Sequence, residues 1–141
     1  MNSRLDTIQA AILIEKLKVF PDEILKRNEL AEVYNIGLSN FFKLPNIIDG
    51  HISAWAQYTL TLESRHKIQK LLKDRGIPSA VYYPAPLSRQ RGYSHYPASS
   101  SGLKISEYLA DHVLSIPMHP YMEEVNANYI IKTLLEFKEL N

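Results

Sequence analysis

Apolar residues recur at helical spacing from the start of the chain. Leu5, Ile8 and Ile12 form one stripe, and Leu13, Leu17 and Phe20 form a second. This spacing predicts a helix over residues 3–20. Ser3 offers an N-cap, and Asp6 three positions on completes an aspartate version of the capping box. Asp6 also sets negative charge at the positive end of the helix dipole. Two stripes call for two covers, supplied by the rest of the fold or by another polypeptide surface. Pro21 lacks an N–H and crowds the preceding turn, which predicts an end or a kink near Phe20. Proline suits the first turn of a new helix, and Asp22 and Glu23 suit its N-terminal charge preference. That second helix is expected to run to about Leu38, with Ile24, Leu25, Ala31, Tyr34 and Leu38 inward.

Beyond it, Pro45, Asn46, Asp49 and Gly50 mark a turn-rich stretch. Alternation then takes over: Trp55, Tyr58, Leu60 and Leu62 predict a strand within residues 54–64. Ser64 opens a short helix to Lys73, and Gly76 is its expected left-handed stop. A second strand is read from Ser79 to Tyr83, closed by Pro84 and Pro86, followed by an irregular loop over 87–102. A helix from about Ile105 to His112, a strand from Val113 to Ile116 and a last helix from about Val125 to Glu139 complete the chain. Ile130, Ile131, Leu134 and Phe137 form the inward face of that last helix. The order predicts an α+β fold, a short three-stranded sheet packed by long helices. No internal repeat and no second core pattern appears, so residues 1–141 are read as one domain.

Composition narrows the function classes. Sixteen basic and fifteen acidic side chains leave a net charge of +1, without the basic excess of an extended nucleic-acid surface. There is no cysteine, hence no disulfide, thiolate metal site or cysteine nucleophile. No apolar run approaches the roughly 18 residues of a membrane span. The polar start (Asn2, Ser3, Arg4, Asp6) is unlike a secretory leader. The expectation is a soluble cytoplasmic chain that binds neither nucleic acid nor membrane.

Five histidines, at 51, 66, 95, 112 and 119, include no pair at the helical spacing of a metal site. His112 with Asp111 and Glu107 reads better as a solvated helix face than as a ligand set. Glu15, Glu23, Glu29 and Glu32, interleaved with Lys16, Lys18, Lys26 and Arg27, also read as surface charge. No phosphate-binding glycine motif and no nucleophile elbow is present. Two places stand out. VYYPAPLSRQRGYSHY, residues 81–96, concentrates tyrosines, arginines, a glutamine and a histidine where a strand ends. Arginine can fork onto phosphate, and tyrosine can stack on a base or bond a sugar hydroxyl. A polar loop whose tyrosines merely pack a helix would have the same composition. Asn2 and Arg4 open a helix whose free N–H groups favour an anion, although on the residues alone ordinary capping is the better explanation.

Four blocks carry a family likeness. MNSRLDTIQAAIL (1–13), AWAQYTL (54–60), RGIPSAVYYPAPLSRQRGY (75–93) and VLSIPMHPYM (113–122) occur in order. Together they resemble the C-terminal domain of the DegT/StrS-type nucleotide-sugar aminotransferases. The resemblance implies the small domain of a fold type I pyridoxal-phosphate enzyme of cell-surface polysaccharide biosynthesis. Such enzymes act as homodimers on a nucleotide-linked keto sugar, usually with glutamate as amino donor. In the family the Schiff-base lysine belongs to a large domain upstream of the block that begins here at Asn2. The chain is therefore expected to be a truncated C-terminal part, without catalytic residues or bound cofactor, and inactive alone. The match to Asn2 implies a ligand of the cofactor phosphate in the neighbouring subunit. Arg4, Tyr83, Gln90 and Tyr93 match positions near the nucleotide-sugar, and no metal is implied. Ser88 departs from the pattern, which commonly has histidine there. The alternative is a stand-alone ligand-binding or interaction module that reuses this domain.

Overall fold

A computed structural model describes residues 5–139, with side chains to residue 137. One helix, α1, runs unbroken from Thr7 to Leu38. At 1.5 Å per residue it is about 48 Å long. Its N-cap is Asp6, whose Oδ1 accepts a 2.9 Å hydrogen bond from the Gln9 N–H. The expected cap Ser3 lies outside the described residues. Pro21 sits inside the helix instead of ending it. Proline removes one backbone hydrogen bond, to the Leu17 carbonyl, and the turns on either side carry the helix through.

Strand β1, Tyr58–Thr61, follows a long connection and leads through a tight turn into α2, Arg65–Asp74. Gly76, at φ +72°, supplies the expected left-handed stop. A single 3₁₀ turn, Leu87–Arg89, interrupts the long loop before α3, Lys104–His112. Strand β2, Val113–Ile116, and helix α4, Glu124–Glu139, end the described chain.

The sheet has two strands rather than three. β1 and β2 pair antiparallel from Tyr58 opposite Ile116 to Thr61 opposite Val113. The segment expected as a third strand contributes one bridge, in which Ala80 and Ser115 exchange hydrogen bonds of 3.0 and 2.7 Å. Pro78 and Pro84 flank that bridge and have no N–H to extend a ladder. β1 starts late because Trp55 is held at φ +43°, which breaks the extended run. A left-handed tryptophan costs on the order of 1–3 kcal/mol and persists only where its surroundings hold it. Here Arg27 donates to the Trp55 carbonyl at 2.9 Å, and the indole N–H donates to Asn28 Oδ1 at 3.0 Å.

The core gathers around Tyr34, Leu38, Tyr58, Leu60, Leu72, Leu114 and Leu134, all fully buried. It joins the last third of α1 to the sheet, α2 and α4. Ile130, Ile131 and Leu134 are buried as expected, and Phe137 is partly buried against the same cluster. Leu25, expected inward, is 58% exposed. The inward face runs through Glu23, Leu30, Ala31, Tyr34 and Leu38, and Leu25 lies two residues, or about 200°, round from Glu23. The first half of α1 buries nothing: Ile8, Ile12, Leu13, Leu17 and Phe20 are all exposed. Neither of its two stripes is covered by the described residues.

Candidate functional site

Loop 78–103 leaves the sheet at the Ala80 bridge and carries Tyr83, Gln90 and Tyr93. All three side chains are exposed. Pro84 and Pro86 stiffen the exit, and the Leu87–Arg89 turn reverses the chain. The Tyr93 N–H donates to the Gln90 carbonyl at 2.9 Å, so one further turn holds these two residues. Arg89 reaches Asp111 of α3 at 3.2 Å and ties the loop to the body of the fold. Tyr82 and Tyr83 stand edge to face, with centroids 5.9 Å apart. Tyr83 is therefore presented at the root of the loop, and Gln90 and Tyr93 on its turn. Asn2 and Arg4 lie outside the described residues.

Tyr93 also lines a hollow of about 320 Å³ with Leu87, Ser88, Tyr96, Pro97 and Leu103. The Ser88 hydroxyl is buried there without a hydrogen-bond partner. Its walls set the tyrosines Tyr93 and Tyr96 among apolar side chains. Such a surface suits a planar or hydroxyl-rich ligand.

Two charges assigned to the surface are not surface charges. Glu23 is only 8% exposed. Its Oε1 accepts from Lys16 Nζ at 2.8 Å and from the Tyr121 hydroxyl at 2.7 Å. The Lys16 hydrogen bond, then that of Tyr121, holds the Glu23 carboxyl below its ordinary pKa against the opposing effect of desolvation. The same contact raises Lys16 and Tyr121. Arg27, partly buried, clamps the carbonyls of Trp55 and Met118 at 2.9 and 3.3 Å. Glu23 and Arg27 are four apart on the face that continues to Leu30, Ala31 and Tyr34. That continuity was the available signal.

Among the described residues no three His, Asp or Glu side chains gather as a metal site. His112 Nε2 meets only the Glu63 carboxylate, at 3.3 Å, and its Nδ1 lies 2.7 Å from the Tyr108 carbonyl. No described helix is long and apolar enough to cross a membrane. The described lysines do not fit a covalent anchor for a carbonyl cofactor. Such an amine must reach its neutral form, which burial or a nearby cation favours. Lys16 and Lys26 are instead raised by Glu23 and Asp22, and every other lysine whose side chain is described is exposed.

The profile of the DegT/DnrJ/EryC1/StrS aminotransferase family matches residues 1–135. Among curated proteins, the chain is 39% identical over 135 residues to a UDP-2-acetamido-2-deoxy-3-oxo-D-glucuronate aminotransferase of Pseudomonas aeruginosa. That match covers 95% of this chain and 37% of the relative. A solved DegT DnrJ EryC1 StrS aminotransferase from Brucella abortus superposes with a TM-score of 0.93 at 44% identity, covering 97% of this chain and 37% of that one. S. venezuelae DesV superposes at 0.90 with 30% identity, over 97% and 38%. The chain thus spans little more than a third of the length of the relatives it matches.

Proposed function

The chain belongs to the DegT/DnrJ/EryC1/StrS aminotransferase family, and from that premise we propose that it is the small C-terminal unit of a homodimeric nucleotide-sugar aminotransferase. The reaction moves an amino group, with glutamate as donor, onto a keto sugar carried on a nucleotide. One observation carries the reading: nearly all of this chain superposes on 37% of a solved aminotransferase at 44% identity. Pyridoxal phosphate, when bound, supplies the electron sink for such a transfer. Its covalent anchor would belong to another part of the enzyme, a placement supported by the lysines whose side chains are described, none of which fits the role. This chain contributes the rim. Asn2 would donate its amide to the cofactor phosphate of the neighbouring subunit, and Arg4 would meet substrate phosphate or sugar beside it. Tyr83, Gln90 and Tyr93 face the nucleotide-sugar from loop 78–103, where their exposure leaves hydroxyl and amide groups open to a ligand.

Two measurements test this. The purified chain, mixed with pyridoxal phosphate and dialysed, should retain no stoichiometric chromophore. One borohydride-trapped lysine in full yield would refute the assignment of the anchor elsewhere. In a full-length relative that keeps these residues, Asn2→Ala should weaken cofactor retention about ten- to a hundredfold. That is the loss of one charge-assisted hydrogen bond of about 1.5–3 kcal/mol. Arg4→Ala should mainly raise the Michaelis constant for the nucleotide-sugar. Lower melting temperatures with unchanged affinities would make both residues helix caps and nothing more.

A further inference from the structure

Helix α1 has a weak point and a brace across it. Pro21 leaves the Leu17 carbonyl without its intrahelical partner, the usual origin of a kink. Everything in the helix before Pro21 lies outside the core, and the first buried residue of the helix is Glu23. Residues 7–20, none of them buried, therefore form an arm that continues from the body at the proline. Lys16 stands in that arm, two turns ahead of Glu23 and on the same face. Its ammonium reaches across the proline to Glu23 Oε1 at 2.8 Å. From the other side, Tyr121 of the β2–α4 connection donates to the same oxygen at 2.7 Å. Tyr121 is held in turn by Lys26, whose ammonium lies 5.5 Å from its ring centroid. One turn on, Arg27 binds the Met118 carbonyl of that connection.

We propose that Glu23 is a positioning residue whose carboxylate locks the helix across Pro21, so that the arm leaves the core in one direction. The leverage is large. From Pro21 to Thr7 the arm is about 21 Å long, and a bend of about 20° would carry its tip about 7 Å sideways. That is more than twice a hydrogen-bond length. The roles proposed above for Asn2 and Arg4 would be sensitive to this angle, and to that extent the functional consequence rests on that reading. The brace itself does not.

The chain has no cysteine, so spin labels can be placed cleanly at Gln9→Cys on the arm and Lys132→Cys on α4, both exposed positions. Electron–electron distances are measured on the full 141-residue chain, diluted with unlabelled protein. The unaltered brace should give one narrow distance distribution. Glu23→Gln and Tyr121→Phe should each broaden it about twofold or shift its centre by several ångströms. Adding Pro21→Ala to Glu23→Gln should restore the narrow distribution, because the Leu17 carbonyl regains its donor. A residue that only stabilises the fold would lower the melting temperature and leave the distances alone. Unchanged distances in both single variants, or no recovery with Pro21→Ala, would overturn the proposal. If Glu23→Gln does not fold, Tyr121→Phe keeps the ring and decides by itself. No cofactor or substrate enters the measurement, so its outcome is independent of whether Asn2 binds phosphate.

Discussion

Gly37 tests the contact between α1 and α4 most sharply, because two opposing effects meet there. In an exposed helix interior, glycine to alanine stabilises by about 0.5–1 kcal/mol, since glycine loses more backbone freedom on folding. Here an added Cβ would lie 2.7 Å from Ile131 Cδ1, 2.9 Å from Cγ2 and 3.2 Å from Cγ1. The Cδ1 atom could swing aside, but Cγ1 and Cγ2 are fixed together by the stiff β-branched rotamer of a helical isoleucine. Ile131 is only 8% exposed and has little room to retreat. Overpacking of this kind costs about 1–3 kcal/mol and outweighs the propensity gain. Gly37→Ala should therefore destabilise by about 1–2 kcal/mol net, lowering the melting temperature by roughly 3–8 °C at this chain length. The diagnostic measurement is the double-mutant cycle with Ile131→Ala, read by urea unfolding. Ile131→Ala alone should cost about 2–5 kcal/mol. In that background Gly37→Ala should become stabilising, giving a coupling of about 2–3 kcal/mol. A Gly37→Ala variant that is more stable while Ile131 is intact, or a coupling near zero, would refute the steric argument.

Other consequences are as direct. The pKa of Glu23 is lowered by Lys16 and Tyr121, so the unfolded chain takes up its proton first. The stability tied to Glu23 is complete above its unfolded value of about 4.3 and is lost as pH falls below it. Glu23→Gln should flatten the acid limb of the stability profile, and parallel limbs would contradict the contact. Burial raises the Tyr34 and Tyr58 phenols, so their contribution holds below pH about 10 and is lost as pH rises beyond it. Ultraviolet titration should show both ionising only together with unfolding; early, reversible ionisation of both would refute their burial. The exposed stripes of α1 should make the chain self-associate with concentration, since monomers rarely leave large contiguous apolar surface open. Sedimentation should show the effect weakening in Leu17→Glu; a monodisperse monomer at high concentration would count against it.

The local elements were largely legible in the chain. β2, the span of α2, the Gly76 stop and the inward face of α4 follow from spacing and turn chemistry, which act over a few residues. The tyrosine-rich loop was legible as well, because its composition does not depend on what it touches. The two apolar stripes before Phe20 said that the arm needs covers, and the exposed face says the same. Other features depended on contacts between residues distant in sequence. Pro21 reads as a break because local rules count its missing N–H, yet α1 passes through it and Glu23 spans it with partners at Lys16 and Tyr121. A third strand was expected from the β-rich run at 79–83, but a ladder needs a neighbour's donors and acceptors in register, and the flanking prolines leave one bridge. Trp55 at φ +43° is invisible to propensity, because the partners that hold it come from α1. Periodicity determined which faces are apolar. Only the tertiary structure decided which charges lie among them, since a buried carboxylate is tolerable only where distant donors converge on it.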